Sequence, residues 1–140
     1  MIEFSVKDVM MPDLDFAKVD IWLREVAATY DKKVGNLNYI FCDDKEILKI
    51  NQKFLNHDYF TDIITFDYSH RDKVGADLFI SLETVKSNAD DLSESYDKEL
   101  LRVIVHGLLH LCGINDKGEG EREIMEAHEN KALEIWYSNL

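Results

Sequence analysis

Apolar and polar residues alternate at the start of the chain and then change to a helical period. Ile2, Phe4 and Val6 alternate with polar residues, as in a strand with one buried face. After Asp13 or Asp15, either of which can act as an N-cap, apolar residues recur every three or four positions, which predicts an amphipathic helix. Its apolar residues are Phe16, Val19, Trp22, Leu23, Val26, Ala27 and Tyr30.

A second strand and helix follow in the same order. The pair Gly35-Asn36 is predicted to end the connection, and residues 37–42 form a strand apolar enough to be central in a sheet. Asp43 with Glu46 three residues later resembles a capping box, which predicts the start of a helix there. The order strand, helix, strand, helix indicates crossover connections.

The rest of the pattern predicts a hairpin and three helices. Residues 63–66 and 76–80 are apolar strands joined by a polar loop, and a hairpin is the simplest connection. Ser81 can cap the first helix, residues 97–112 form the second, and the third begins near Gly120. The predicted fold class is α+β: a mixed four-stranded sheet with one antiparallel edge strand and about five helices, in a single domain over residues 1–140.

The predicted helix over residues 97–112 is unusual because apolar residues cover nearly its whole circumference, so it is expected to be buried on most sides. It nevertheless carries His106 and His110, which a spacing of four places on one face. Two imidazoles so placed can direct ring nitrogens at one point, as two ligands of a metal ion do. Gly113 offers a left-handed helix end, and Asp116 follows as a possible third ligand.

This three-ligand set leaves the fourth position of a tetrahedral ion open, which is typical of catalytic sites. The alternative is a core helix whose histidines bond to carbonyls or carboxylates. We favour the metal site because the glycine turn and Asp116 follow the two histidines at suitable distances along the chain.

Length, composition and charge limit the classes of protein to which this chain can belong. A chain of 140 residues with 46% hydrophobic content fits one globular domain with a substantial core. No stretch has the length of a membrane span or the pattern of a signal peptide, so a cytoplasmic protein is expected. Cys42 and Cys112 are predicted to be reduced core thiols. The formal net charge of −12 argues against a broad, sequence-independent grip on nucleic acid.

Residues 106–113, His-Gly-Leu-Leu-His-Leu-Cys-Gly, resemble the signature of the YbeY family, bacterial metal-dependent endoribonucleases linked to ribosomal RNA maturation. Residues 51–66 are similar to the family's central block, and residues 75–81 to its edge strand, so the resemblance covers about residues 37–135. It implies one divalent ion, zinc or another transition metal, and a partner that is ribosomal RNA or a ribosomal subunit. With the acidic charge, binding to naked RNA is expected to be weak and sensitive to salt.

The chain departs from the family at two positions. Asp116 stands where the family has its third histidine ligand, but zinc accepts a carboxylate oxygen at about 2.0–2.2 Å, much like a histidine nitrogen. Leu55 stands where the family has an arginine, so that arginine's role is absent or falls to another residue. Lys53, His57 and Lys117 are the nearest candidates in sequence.

For phosphodiester cleavage, an open-site metal can polarise a phosphoryl oxygen and lower the pKa of water toward roughly 7. The sequence leaves open whether water or the substrate's 2′-hydroxyl attacks. Lys117 can stabilise developing negative charge or be a solvated surface lysine. Asp62 can orient a histidine from outside the ligand set or cap the strand end, and Thr61 is either a substrate contact or a turn hydroxyl.

Two other classes stay open. The helical zinc peptidase signature has a general-base glutamate after its first histidine, where this chain has Gly107. A metallopeptidase or amide hydrolase would therefore need another base, such as Glu119 or Asp62. The second class is a non-catalytic ribosome-associated metal-binding module, which the acidic charge and the missing arginine favour.

The remaining aromatic and histidine residues have ordinary structural interpretations. His128 is predicted to be a core or partly covered histidine. His57 and His70 are expected on the surface, although His70 can contact phosphate. Tyr59 and Phe60 are expected in the core, with base stacking as the alternative.

Overall fold

The computed structural model describes residues 1–55 and 61–139, and its strands form one mixed four-stranded sheet in the order β1-β2-β4-β3. The first three strands in this order are parallel, and β3 pairs antiparallel with β4 at the edge. The predicted α+β class and the hairpin are therefore confirmed. The strands are β1 (Ile2–Val6), β2 (Lys33–Cys42), β3 (Ile63–Asp67) and β4 (Lys73–Ser81).

The described residues also form five α-helices, and a π-helical turn over Asn51–Leu55 extends the second of them. The side chains of Asp15, Asp43 and Ser81 each accept a hydrogen bond from the backbone N–H three residues later, which confirms these predicted N-caps. None of the described helices has both the length and the apolar character needed to span a membrane. The helices are α1 (Phe16–Thr29), α2 (Asp44–Ile50), α3 (Leu82–Leu92), α4 (Tyr96–Leu111) and α5 (Glu121–Asn139).

Strand β2 begins earlier than its apolar pattern indicates. Gly35 and Asn36 lie within β2, so their prediction as the end of the connection is wrong. The strand already pairs with β4 at Lys33 and Val34, and the register shifts between Val34 and Leu37. This irregularity explains why a glycine and an asparagine, which are typical of turns, occur inside a strand.

The core is divided unequally between the two faces of the sheet. On β4, the alternating residues Val74, Ala76, Leu78 and Ile80 contribute to the main core, to which α1, α4 and α5 also contribute. Phe79 packs instead against a smaller cluster that contains Cys42 and residues of α2. Both cysteines are free thiols, as predicted, and burial raises the pKa of Cys42 to about 12 and that of Cys112 to about 11.

Helix α4 is the most deeply buried helix, and Gly107 lets it approach the sheet closely. A Cβ atom at Gly107 would lie 2.5 Å from Leu78 Cδ2 and 2.9 Å from Ile63 Cδ1. Because Ile63 begins β3, this close packing brings the turn of α4 that carries His106 beside the start of β3. Asp62, directly before β3, is thereby placed near His106.

Candidate metal centre in an acidic groove

A groove of about 610 Å³ lies among α3, α4, α5 and the start of β3, and we call it the acidic groove. His106 lines it, together with Arg102 and Arg122, but carboxylates outnumber these cations. A groove with this charge attracts metal cations and repels free phosphate. The lining carboxylates are Asp62, Asp91, Glu94, Glu99, Asp116, Glu126 and Glu129.

His106 lies between two of these carboxylates. Its Nδ1 is 2.7 Å from Glu129 Oε2, and its Nε2 is 3.2 Å from Asp116 Oδ2. Because an ionised carboxylate only accepts hydrogen bonds, we infer that Nδ1 carries a proton and donates it to Glu129. The Nε2 lone pair of the neutral ring is then directed toward Asp116.

Glu129 is itself held in place by a cation. Arg102 donates from Nη1 to Glu129 Oε1 at 3.2 Å and to Asn130 Oδ1 at 3.0 Å. The Nε of Arg102 lies 3.7 Å from Glu99 Oε1, an oxygen that has no hydrogen-bond partner within the described residues. A continuous chain of charged contacts therefore runs from Glu99 through Arg102 and Glu129 to His106.

The surroundings act on the pKa of His106 in opposite directions. Burial lowers this pKa, whereas the hydrogen bond to Glu129 and the charges of Glu129, Asp116 and Asp62 raise it. The net effect is a raised pKa, because the imidazolium is stabilised by carboxylates on several sides. The same negative field would stabilise a metal cation in place of the proton.

The turn after α4 positions Asp116. Gly113 adopts a φ of +99°, so the predicted left-handed ending is confirmed. The N–H of Gly113 donates to the carbonyl of His110, and that of Ile114 donates to the carbonyl of Leu109. Ile114 packs against the main core and anchors the turn, which returns the chain toward the groove.

The structure brings together two of the three predicted ligands. His110 lies one turn after His106 on the same face of α4, but its side chain is exposed. Within residues 1–55 and 61–139 it has no hydrogen bond or ion pair, and no group of three His, Cys, Asp or Glu side chains is arranged to hold a metal. His110, the third predicted ligand, is thus close in sequence to His106 and Asp116 but is not bonded to either.

Two of the predicted donors nevertheless lie at a spacing that suits a shared metal ion. Two ligands of a tetrahedral zinc ion with bonds of about 2.0–2.1 Å are about 3.3–3.5 Å apart, and the 3.2 Å between His106 Nε2 and Asp116 Oδ2 is close to this spacing. A hydrogen bond from the second ring nitrogen to a carboxylate, as His106 makes to Glu129, commonly accompanies histidine ligation. A direct hydrogen bond between His106 and Asp116 has similar dimensions and is the alternative.

Asp62 and Lys117, the two predicted catalytic side chains, differ in position. Asp62 lines the acidic groove, and its Oδ2 accepts a hydrogen bond from Asn88 at 3.4 Å. Burial raises the pKa of Asp62, while the charge of His106 lowers it. Lys117 is exposed and is not among the groove-lining residues, and Thr61 is partly exposed.

The other histidines are placed as follows. His128 is partly buried, and its Nδ1 lies 2.6 Å from the Tyr30 hydroxyl, which confirms the prediction of a partly covered histidine. His70 is exposed, as expected. The predictions for His57, Tyr59 and Phe60 fall outside the described residues.

Leu55, which stands where the resembling family has an arginine, is exposed. Lys53, one of the suggested substitutes, lies with its Nζ 5.2 Å from the centre of the Phe54 ring. The cations that do line the groove are Arg102 and Arg122, neither of which was among the predicted site residues. Arg102 had a usable signal, because it precedes His106 by four residues and shares its helix face.

Comparison with known proteins adds a family assignment to this geometry. A family model described as "Endoribonuclease YbeY" matches residues 6–137. A relative of that name from Phocaeicola vulgatus is 58% identical over 135 residues, covering 96% of this chain and 98% of the relative. Another from Bacteroides fragilis is 55% identical over 132 residues, covering 94% and 95%.

A solved structure supports the same fold. The solution structure of a protein from Thermotoga maritima superposes with a TM-score of 0.66 at 26% sequence identity. The match covers 99% of this chain and 93% of that protein. The similarity therefore extends over the whole sheet and its helices.

Proposed function

The chain belongs to the endoribonuclease YbeY family, and from this premise we propose that it is an endoribonuclease whose reaction takes place in the acidic groove at His106. The relatives carry that name and align over nearly their full length. We choose this site because His106 lies between Glu129 and Asp116.

In this proposal, His106, His110 and Asp116 hold one divalent ion, zinc in the first instance. Two of them already lie at a spacing that suits a shared ion. The third, His110, is exposed and lies one helical turn away, so its side chain can rotate toward the ion without disturbing the core. When bound at such a site, the ion would polarise a phosphoryl oxygen and favour deprotonation of the nucleophile.

Asp62 and Lys117 are proposed to act on the substrate. Asp62 is partly buried beside His106, and its raised pKa suits a group that holds or transfers a proton nearer to neutrality. Lys117, directly after the ligand Asp116, would reach the scissile phosphate and stabilise its negative charge. Both roles require the RNA backbone to lie across the mouth of the groove.

Ribosomal RNA, processed in the cytoplasm, is the proposed substrate class. The acidic groove and the net charge of −12 repel an RNA backbone that approaches alone. The metal would offset part of this repulsion, and a ribosomal partner would supply the rest of the docking. This arrangement predicts weak, salt-sensitive binding to naked RNA.

A peptidase whose general base is a glutamate directly after the first histidine is disfavoured by the packing of Gly107. That position faces Leu78 and Ile63 rather than the groove, so a glutamate there could not act as general base on a substrate beside His106. The position is a glycine because the sheet approaches α4 closely.

The test combines metal analysis with RNA cleavage. We expect natively purified protein to contain about one divalent ion per chain, Asp116→Ala to lose it, and His106→Ala to lose both metal and cleavage of single-stranded RNA while remaining folded. Product ends distinguish the nucleophile, because attack by the 2′-hydroxyl leaves a 2′,3′-cyclic phosphate and attack by water does not. Full metal occupancy in Asp116→Ala would remove Asp116 from the site. Tight ribosome association by metal-loaded protein without cleavage would contradict the enzyme and indicate a binding module.

A further inference from the structure

Glu129 on α5 connects His106 to Arg102 through the two oxygens of its carboxylate. We propose that Glu129, fixed by Arg102, is a positioning residue that holds His106 in the tautomer protonated at Nδ1, so that the Nε2 lone pair is presented to a metal ion shared with Asp116. This inference rests on the proposed metal site. It assigns a function to two residues that bind neither the ion nor the RNA.

Both oxygens of the Glu129 carboxylate are engaged. Oε1 accepts from Arg102 at 3.2 Å, and Oε2 is 2.7 Å from His106 Nδ1. Glu129 is only 8% exposed, so water offers little replacement for either contact. Rotation of the carboxylate would break one charged hydrogen bond to improve the other, and its orientation is therefore fixed by groups on α4.

The geometry selects one neutral tautomer of His106. If the proton were on Nε2, the Nδ1 lone pair would face Glu129 Oε2 at 2.7 Å, which places two acceptors in contact. A proton on Nε2 could instead bond to Asp116 Oδ2, but this contact of 3.2 Å is longer than the 2.7 Å contact with Glu129, so the tautomer protonated at Nδ1 makes the shorter hydrogen bond. With the proton on Nδ1, the contact with Glu129 becomes a short hydrogen bond and Nε2 is left free for a metal.

The substitution Glu129→Gln tests this because glutamine has one acceptor and one donor. Arg102 has only donors, so it should retain the amide oxygen and leave the amide NH2 facing His106 Nδ1. A donor at that position requires Nδ1 to accept, which moves the ring proton to Nε2. Thus Glu129→Gln changes one atom of the side chain but is expected to invert the tautomer and block the metal-binding nitrogen.

Glu126→Gln is the matched control. Glu126 lies one turn earlier on α5 and lines the same groove, so this variant removes the same charge from the same helix. Among the described residues, Glu126 has no hydrogen bond to His106. If zinc affinity depended only on the total charge of the groove, it would fall in both variants. If it depends on the positioning contact, it should fall in Glu129→Gln alone.

Two measurements decide the outcome. Zinc affinity, measured by competition with a chelator, is expected to fall about 10- to 100-fold in Glu129→Gln and less than about threefold in Glu126→Gln. Nitrogen-15 NMR of the metal-free proteins at alkaline pH is expected to show His106 protonated at Nδ1 in wild type and Glu126→Gln, and at Nε2 in Glu129→Gln. Equal zinc affinities in the two variants, or an unchanged tautomer in Glu129→Gln, would overturn the proposal.

Glu129→Asp is a second variant that tests the proposal if Glu129→Gln does not fold. It retains an acceptor-only carboxylate, so His106 should stay protonated at Nδ1, and a proton found on Nε2 would contradict the proposal. If wild-type protein binds no zinc, the metal site itself is wrong. The tautomers of the metal-free variants would still show whether Glu129 controls His106, so the two failures are distinguishable.

Discussion

Two faces of α4 meet different surroundings although they belong to one continuous helix. The face toward the sheet is closely packed: Gly107 lies against Leu78 and Ile63, and Tyr39 donates a buried hydrogen bond to the carbonyl of Ile104. The face toward the acidic groove carries Glu99, Arg102 and His106, which contact each other or residues of α5 through charged groups. Only the second face is accessible to a ligand.

The contrast shows how stability and function are separated within a few residues. Apolar burial on the sheet face contributes to the free energy of unfolding and leaves no space for chemistry. On the groove face, ion pairs fix side-chain orientations but contribute little net stability, because desolvation offsets much of their attraction. Substitutions on the two faces should therefore have different measurable effects.

The largest expected effect is on the groove face, at His110. If His110 is a ligand, His110→Ala should lower zinc affinity and metal-dependent RNA cleavage by more than about 1,000-fold, because the site loses one of three protein ligands. The melting temperature of the metal-free protein should not change, since the His110 side chain is exposed. Chelator competition and thermal unfolding measure the two quantities.

His70→Ala is the control for His110→Ala, because it removes another exposed histidine that lies in the turn between β3 and β4. It should leave zinc affinity unchanged. Unchanged zinc affinity in His110→Ala would exclude His110 from the site.

The second effect is on the sheet face, at Leu108. This side chain is fully buried in the main core, so Leu108→Ala should lower the free energy of unfolding by about 2–5 kcal/mol. Denaturant titration measures the change, and zinc affinity of the folded protein should be retained. Leu92→Ala, at an exposed leucine, should change stability by less than about 0.5 kcal/mol. A large loss of zinc affinity in folded Leu108→Ala would contradict the separation of the two faces.

The sheet face of α4 could be predicted from the sequence because its determinants are local. Continuous apolar residues indicated a buried helix, Gly113 indicated its end, and the caps at Asp15, Asp43 and Ser81 located three other helix starts. Strand ends were harder, because pairing between distant segments extended β2 through Gly35 and Asn36. The intrinsic preference of single residues for a strand does not predict pairing between distant segments.

The groove face was predicted only in part. The spacing of His106 and His110 and the turn to Asp116 are local features, and the structure places His106 and Asp116 together. Glu129 comes from α5, 23 residues further along the chain, and nothing in the sequence around it indicates a contact with His106. The carboxylate that orients the histidine depends on how α4 packs against α5, which is a property of the tertiary structure.

The smallest expected effect concerns Glu99, at the far end of the chain of charged contacts. Burial raises the pKa of this carboxyl group, Arg102 lowers it, and the charges of Asp62, Glu129 and Glu94 raise it. Since the folded-state pKa lies above the ordinary value of 4.5, the folded protein binds the proton more tightly than the unfolded chain does. The stability that Glu99 contributes is therefore present below about pH 4.5 and is lost as the pH rises through the folded-state pKa.

Glu99→Gln removes this titration. Relative to wild type, the variant should become progressively more stable as the pH rises from about 4.5 toward neutrality, by an amount limited by loss of the contact with Arg102. Denaturant titrations at several pH values measure the difference in free energy of unfolding. Glu119→Gln, at an exposed carboxylate, should show no such trend. The difference in free energy of unfolding between Glu99→Gln and wild type could instead stay constant with pH, or favour wild type more as the pH rises. Either result would show that Arg102 fully compensates the charge of Glu99 in the folded protein.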